Sequence, residues 1–119
     1  MDFLGLQPPE LDVPLVELET LDGEIVDLHN GCDLRRVVLD ARGLTFEFTR
    51  IDFGCVTVLF RDIRILRVEQ PPDWAPEESD LFEDLLIRVE GPWPRVVVKA
   101  GGLEYEFDCG AVCLALEGD

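Results

Sequence analysis

The sequence predicts a mainly β fold: about eight strands in an antiparallel sandwich or partly open barrel, with one short helix near residues 76–83. Three observations carry this expectation. Apolar and polar residues alternate through Leu44-Thr45-Phe46-Glu47-Phe48-Thr49 and again through Leu103-Glu104-Tyr105-Glu106-Phe107-Asp108, the period of a half-buried strand. Pro-rich and Gly-containing breaks (Gln7-Pro8-Pro9, Gln70-Pro71-Pro72, Gly91-Pro92-Trp93-Pro94) fall between such runs. Helical periodicity is scarce. A chain of 119 residues makes one domain, long enough to bury a core without disulfides or a metal.

The first strand is expected over 14–20, and residues 24–30 can hold a turn. Arg42-Gly43 closes a hairpin that sets Leu39 opposite Phe46 and Val37 opposite Phe48. Ile51-Asp52-Phe53 suits a three-residue loop into the next strand, with Phe48 opposite Val56 and Phe46 opposite Val58. Residues 37–60 thus form a three-stranded meander. The alternation breaks at Arg61-Asp62, which predicts a bend or bulge before a strand over 63–69. Pro76, Glu77 and Glu78 are suited to a helix start, predicting a helix from Pro76 to Asp84 held by packing. Strands follow over 85–90 and 111–117.

The hairpin through Gly101-Gly102 has its register written in the sequence. Both glycines accept positive φ, and the turn pairs Ala100 with Leu103. Val98–Tyr105 and Val96–Phe107 then share one face, while Lys99–Glu104 and Arg95–Asp108 become cross-strand ion pairs on the other. A slip of one residue loses both sets.

Twenty-six acids oppose ten bases, for a formal net charge of −16, yet 47% hydrophobic residues exclude a disordered acidic tail. This charge disfavours nucleic acid and anionic membranes and favours a basic partner. It is unevenly spread. Residues 1–31 hold eight acids and no base; 32–68 are net +2; 69–91 are net −7; 92–119 are net −3. The N-terminus shows no basic or apolar region of a secretory signal, and no apolar run has the length of a membrane span. The expectation is a cytoplasmic protein whose Cys32, Cys55, Cys109 and Cys113 are reduced.

Catalytic signals are weak. His29 is the only histidine, with Asp27, Cys32 and Asp33 nearby, but no nucleophile elbow or paired histidine accompanies it. The expectation is a turn bonding local backbone. Cys109 and Cys113 would stand about 13 Å apart on an extended strand, too far for a disulfide. Zinc would need a turn at Gly110 and two further ligands from Cys32, Cys55 or His29, so buried thiols are the expectation. No catalytic residue, metal or cofactor is expected. The acidic stretch 73–84 lacks the ligand spacing of an EF-hand, and its carboxylate pairs are too common here to signal a glycosidase. It is read as a solvated face or a docking surface. Trp74 and Trp93 sit beside prolines, suited either to capping the core or to anchoring an interface. Arg35, Arg36, Arg61, Arg64 and Arg67 are expected to be neutralised within the chain.

The run Leu28-His29-Asn30-Gly31-Cys32-Asp33-Leu34-Arg35-Arg36-Val37-Val38-Leu39-Asp40 precedes a strand with Val56-x-Val58-x-Phe60. This resembles small bacterial proteins that open with an H-D-A/G-x-L-x-x-V element and continue as a β meander, several of which are similar to immunity proteins of polymorphic toxin systems. The resemblance covers residues 26–68. Asn30 stands where that element has Asp, so no His–Asp pair is carried over. The resemblance implies a non-enzymatic toxin inhibitor and transfers no catalytic residues.

The functional expectation is a protein-binding inhibitor, an acidic immunity protein for a basic effector such as a nuclease-type toxin. Asp73, Trp74, Glu77, Glu78, Asp80, Glu83 and Asp84 are the expected contact residues, and the chain is expected to be a monomer or weak dimer. Two other classes stand beside this: a structural or assembly subunit pairing through an edge strand, and a metal-binding enzyme or sensor around His29 and the cysteines.

Overall fold

A computed structural model describes residues 1–51, 54–89 and 94–117. Two sheets pack face to face. The first contains β1 (Asp2–Leu4), β4 (Cys32–Asp40), β5 (Gly43–Arg50), β6 (Cys55–Arg61) and β11 (Ala111–Glu117), in the order β1-β11-β6-β5-β4. The second contains β7 (Arg64–Glu69), β8 (Phe82–Arg88), β9 (Arg95–Ala100) and β10 (Leu103–Asp108), in the order β7-β10-β9-β8. A short ribbon of β2 (Glu17–Glu19) and β3 (Ile25–Asp27) completes the strands. Pairing is antiparallel throughout these sheets except between β1 and β11, which run parallel. Among the described residues no helix is long and apolar enough to cross a membrane.

The alternating runs build the core as their period requires. Phe46, Phe48, Val56, Val58 and Phe60 point inward from the first sheet and meet Phe82, Leu85, Ile87, Val96, Val98 and Phe107 from the second. Edge-to-face ring contacts cross the interface: Phe46 with Tyr105 at 5.1 Å, Phe60 with Phe107 at 5.1 Å and Phe48 with Phe82 at 5.7 Å. That is the preferred geometry for rings whose edges are positive and faces negative. Leu6, Leu18, Val26 and Leu28 belong to the same core.

The β9–β10 hairpin has the expected register from Ala100–Leu103 through Arg95–Asp108, with Gly101 and Gly102 at φ +63° and +76°. Phe48–Val56 and Phe46–Val58 also pair as expected. Asp52 and Phe53, in the loop between those strands, lie outside the described residues. The bend at Arg61-Asp62 is present. Asp62 adopts φ +54°, and there the chain leaves β6 of one sheet for β7 of the other.

Four expectations are corrected. The turn between β4 and β5 is Ala41-Arg42, so Leu39 faces Leu44 and Val37 faces Phe46; a bulge at Arg35 then brings Leu34, not Val37, opposite Phe48. Gly43 belongs to β5 because a Cβ there would lie 2.1 Å from the Phe60 carbonyl oxygen. The helix over 76–84 is a single 3-10 turn, Pro76–Glu78, followed by strand β8. The start signals at Pro76 are real, but Phe82, Leu85 and Ile87 bury as a strand with one extra residue at Glu83. The strand expected over 14–20 shrinks to β2, and part of 24–30 is β3.

Candidate functional site

The outer face of the second sheet carries a graded charge pattern set by strand register. Side chains directly opposite on neighbouring strands share a face. One row therefore runs Glu69, Glu104, Lys99, Asp84 across all four strands. At the other end stand Arg64, Arg67, Arg88 and Arg95. The Arg95 guanidinium donates to Glu106 and to Asp108, each at 3.1 Å, and Arg67 donates to Glu106 at 2.7 Å. These bonds, with Arg95 foremost, hold the Glu106 carboxyl below its ordinary range. The carboxylates at that end are neutralised.

At the acidic end the same face borders a cleft of about 520 Å³. Its walls include Glu69, Asp73, Glu78, Glu83 and Glu104, with Lys99 as the one basic lining residue among the described residues. Glu69 lies 3.6 Å from Arg67. Asp73, Glu78, Glu83, Glu104 and Lys99 make no ion pair among the described residues. The cleft is thus an open, net-negative surface with low-cost access for a cation.

Trp74 adjoins the cleft without lining it. Its indole N–H donates to the Gly101 carbonyl at 2.9 Å, and its ring lies over Gly102, where a Cβ would come within 2.5 Å of the indole. The half-buried ring fastens the 70–81 segment to the β9–β10 turn, so it serves as a cap of the β layer and as scaffolding for the cleft. Trp93 lies outside the described residues.

Of the expected contact residues, Asp73, Glu78 and Glu83 line the cleft. Asp84 stands beside Lys99 in the charged row, because the bulge places both Glu83 and Asp84 against one residue of β9. Glu77 and Asp80 are exposed but outside the cleft. Asp80 is instead tied through its carbonyl to the Leu34 N–H at 2.8 Å. Sequence reasoning did not reach Glu69 and Glu104 as members of this surface. Glu104 was visible only as a partner of Lys99, and its ammonium, though opposite Glu104, forms no ion pair with it. The two acidic stretches do meet. Residues 12–15 run along β8, with Leu15 N–H bonded to Leu85 O and Asp12 N–H to Ile87 O, both at 2.7 Å.

The histidine and cysteines form no comparable site. The Asp27 carboxylate accepts the N–H groups of His29 and Asn30 at 3.0 and 2.9 Å, which pulls its pKa down, Asn30 contributing most. His29 Nδ1 bonds to Phe82 O at 2.5 Å. The local turn the sequence predicted is present, but the Asp27 carboxylate makes its bonds to local backbone, while the His29 ring reaches the backbone of β8. Cys32 and Cys109 are buried, and burial pushes the Cys109 thiol up to about 11. Cys113 departs from expectation: it is only half-buried, on the outer face of β11 opposite Leu59, because Val112 and Leu114 take the inward positions. Among the described residues no three His, Cys, Asp or Glu side chains group as metal ligands. Compared with protein-family models, curated proteins and solved structures, the chain matches none.

Proposed function

We propose that this protein binds a basic protein and inhibits it, as an immunity protein does for a nuclease-type toxin. The observation that supports this is the cleft at the tip of the second sheet, with four carboxylates that have no ion-pair partner among the described residues around one ammonium. Carboxylates already near one another, on a strand face and a loop fixed by Trp74, hold their charge in place before a partner arrives. Less ordering is then required on binding. The mechanism is occlusion: Asp73, Glu78, Glu83 and Asp84 take lysine or arginine side chains from the partner's phosphate-binding cleft. Glu77, Asp80 and the acids of residues 10–17 widen the attracting field. Trp74 supplies an aromatic edge at the rim.

The test uses an arginine-rich peptide as probe, followed by Trp fluorescence and calorimetry, and a co-encoded basic toxin where the neighbouring gene specifies one. Reversing Asp73, Glu78 and Glu83 to Lys should slow association and remove most of its salt dependence. A triple variant that captured the probe and the toxin as fast as the native chain would exclude this surface.

A further inference from the structure

We propose that the free edge of β4 is a self-association surface: two copies pair their β4 strands antiparallel about a two-fold axis at Val38, joining their first sheets edge to edge. The case begins with the four edges of the two main sheets, because an open edge is a template for another strand. β1 is only three residues long. β8 is covered by residues 12–15 through three backbone bonds of 2.7–2.8 Å. β7 is bent by a bulge whose Ile65 sits at φ +55°, a conformation rare for a β-branched residue. β4 is different. Its Leu34 N–H is bonded to Asp80, but beyond the Arg35 bulge residues 36–40 run in regular register with no outward backbone bond among the described residues.

The direction of the free groups follows from the turn. A two-residue hairpin loop makes its flanking residues, Asp40 and Gly43, a hydrogen-bonded pair. Bonded and non-bonded pairs then alternate, so Val38 and Arg36 bond inward to β5 while Val37 and Leu39 present N–H and C=O outward. An antiparallel second copy centred on Val38 sets Val37 opposite Leu39, with both residues outward-facing, so both bonds of each pair form. The same register sets Arg36 opposite Asp40 of the second copy, twice by symmetry. Centring on Val37 would put Arg36 against a valine. Centring on Leu39 would put it against Arg42. Arg36-Val37-Val38-Leu39-Asp40 is thus self-complementary in only one of the registers that satisfy the backbone.

Other features agree. Leu39 is 60% exposed on this edge, where it would pack against Val37 of the second copy. Residues 35–42 carry three arginines and one aspartate, so the most acidic parts of two chains of net charge −16 stay apart. Arg36 already bonds Glu47, and Asp40 bonds Arg42, but a guanidinium has five donors and a carboxylate several lone pairs, so each can serve a second partner. Five paired residues make a contact well below the roughly 800 Å² per partner of a stable interface, so the dimer is weak and concentration-dependent.

Sedimentation equilibrium of the full chain tests this. Self-association should strengthen with salt, because screening relieves repulsion between two acidic chains, whereas capture of a basic partner should weaken. The two readings therefore fail separately. Arg36→Asp and Asp40→Arg should each weaken self-association by about tenfold or more, since each sets like charges opposite twice. Their equimolar mixture should recover it, because every facing pair is then Asp with Arg. Circular dichroism establishes that each variant is folded. If Arg36→Asp loses the fold with its Glu47 contact, Leu39→Pro serves, since it deletes an outward N–H and no inward bond. A native chain that stays monomeric at about 1 mM in high salt, a mixture no tighter than its components, or a folded Leu39→Pro that dimerises normally would overturn the proposal.

Discussion

The indole of Trp74 donates to the main-chain carbonyl of Gly101 at 2.9 Å, pinning a proline-flanked loop to the turn between β9 and β10. One bond thus fixes both a wall of the acidic cleft and the hairpin that supplies Lys99 and Glu104 to its floor. Replacing Trp74 with Phe keeps most of the ring and removes the donor, leaving the half-buried carbonyl to water. Urea unfolding should show a loss of about 1 kcal/mol, and hydrogen exchange should quicken in residues 70–81.

Gly102 has a stricter requirement. Its φ of +76° and the indole 2.5 Å from a would-be Cβ both oppose any side chain. Gly102→Ala should cost more than the roughly 1 kcal/mol that positive φ alone imposes, because Trp74 must also move. In Trp74→Ala the indole clash is gone and only the mobile end of Glu78, 2.9 Å from that Cβ, has to shift, so the Gly102→Ala penalty should shrink towards the backbone value. A double-mutant cycle in urea measures that coupling.

Phe107 is fully buried at the centre of the sandwich, with its ring edge-to-face against Phe60. Truncation to Ala leaves a cavity between two sheets that are each fixed by their own ladders and cannot close on it. Thermal and urea unfolding should show a loss of about 3–5 kcal/mol. Leu39, on the open edge, should cost little when changed to Ala.

The acid limb of stability should depend on Asp27. Its folded pKa lies below 3.8 because the Asn30 and His29 N–H groups bind the ionised form. The unfolded chain therefore binds more protons in that interval, and stability rises with pH. The contribution is complete above the unfolded value of about 4 and is lost as pH falls through the folded one. Asp27→Ala should lose about 1 kcal/mol at neutral pH, and the gap to the native chain should narrow as pH falls below about 4. A pH-independent gap would mean that the turn is held by something other than the carboxylate's charge.

What the sequence made legible was local. The β9–β10 register followed from two glycines and six alternating residues, because the turn and the strands specified the same answer. At the β4–β5 hairpin they did not. Gly43 looked like a turn residue, but its missing side chain serves the close approach of Phe60, a strand away. The bulge at Arg35 also has no compositional mark. The cleft was half visible: Asp73, Glu78 and Glu83 are neighbours in sequence, whereas Glu69 and Glu104 join them only through the long-range pairing of β7 with β10. The short β1 and the β2–β3 ribbon carry too few residues for a period to show.

Lys99 offers the sharpest test of the cleft's electrostatics. It is the only lysine in the chain, it is exposed, and it makes no ion pair among the described residues. Its ammonium therefore contributes little to folding, and Lys99→Gln should change stability by less than about 0.5 kcal/mol. Its effect on a bound cation is different in kind. An ammonium among the carboxylates that receive a partner's arginine repels that arginine directly. Removing it should tighten binding of an arginine-rich peptide several-fold at low salt, and the gain should fade as the ionic strength rises. Glu104→Gln, directly opposite on the same face, should weaken binding under the same conditions. Calorimetric titrations of the two variants at two salt concentrations separate a binding cleft from a merely solvated acidic face, on which neither change would alter affinity.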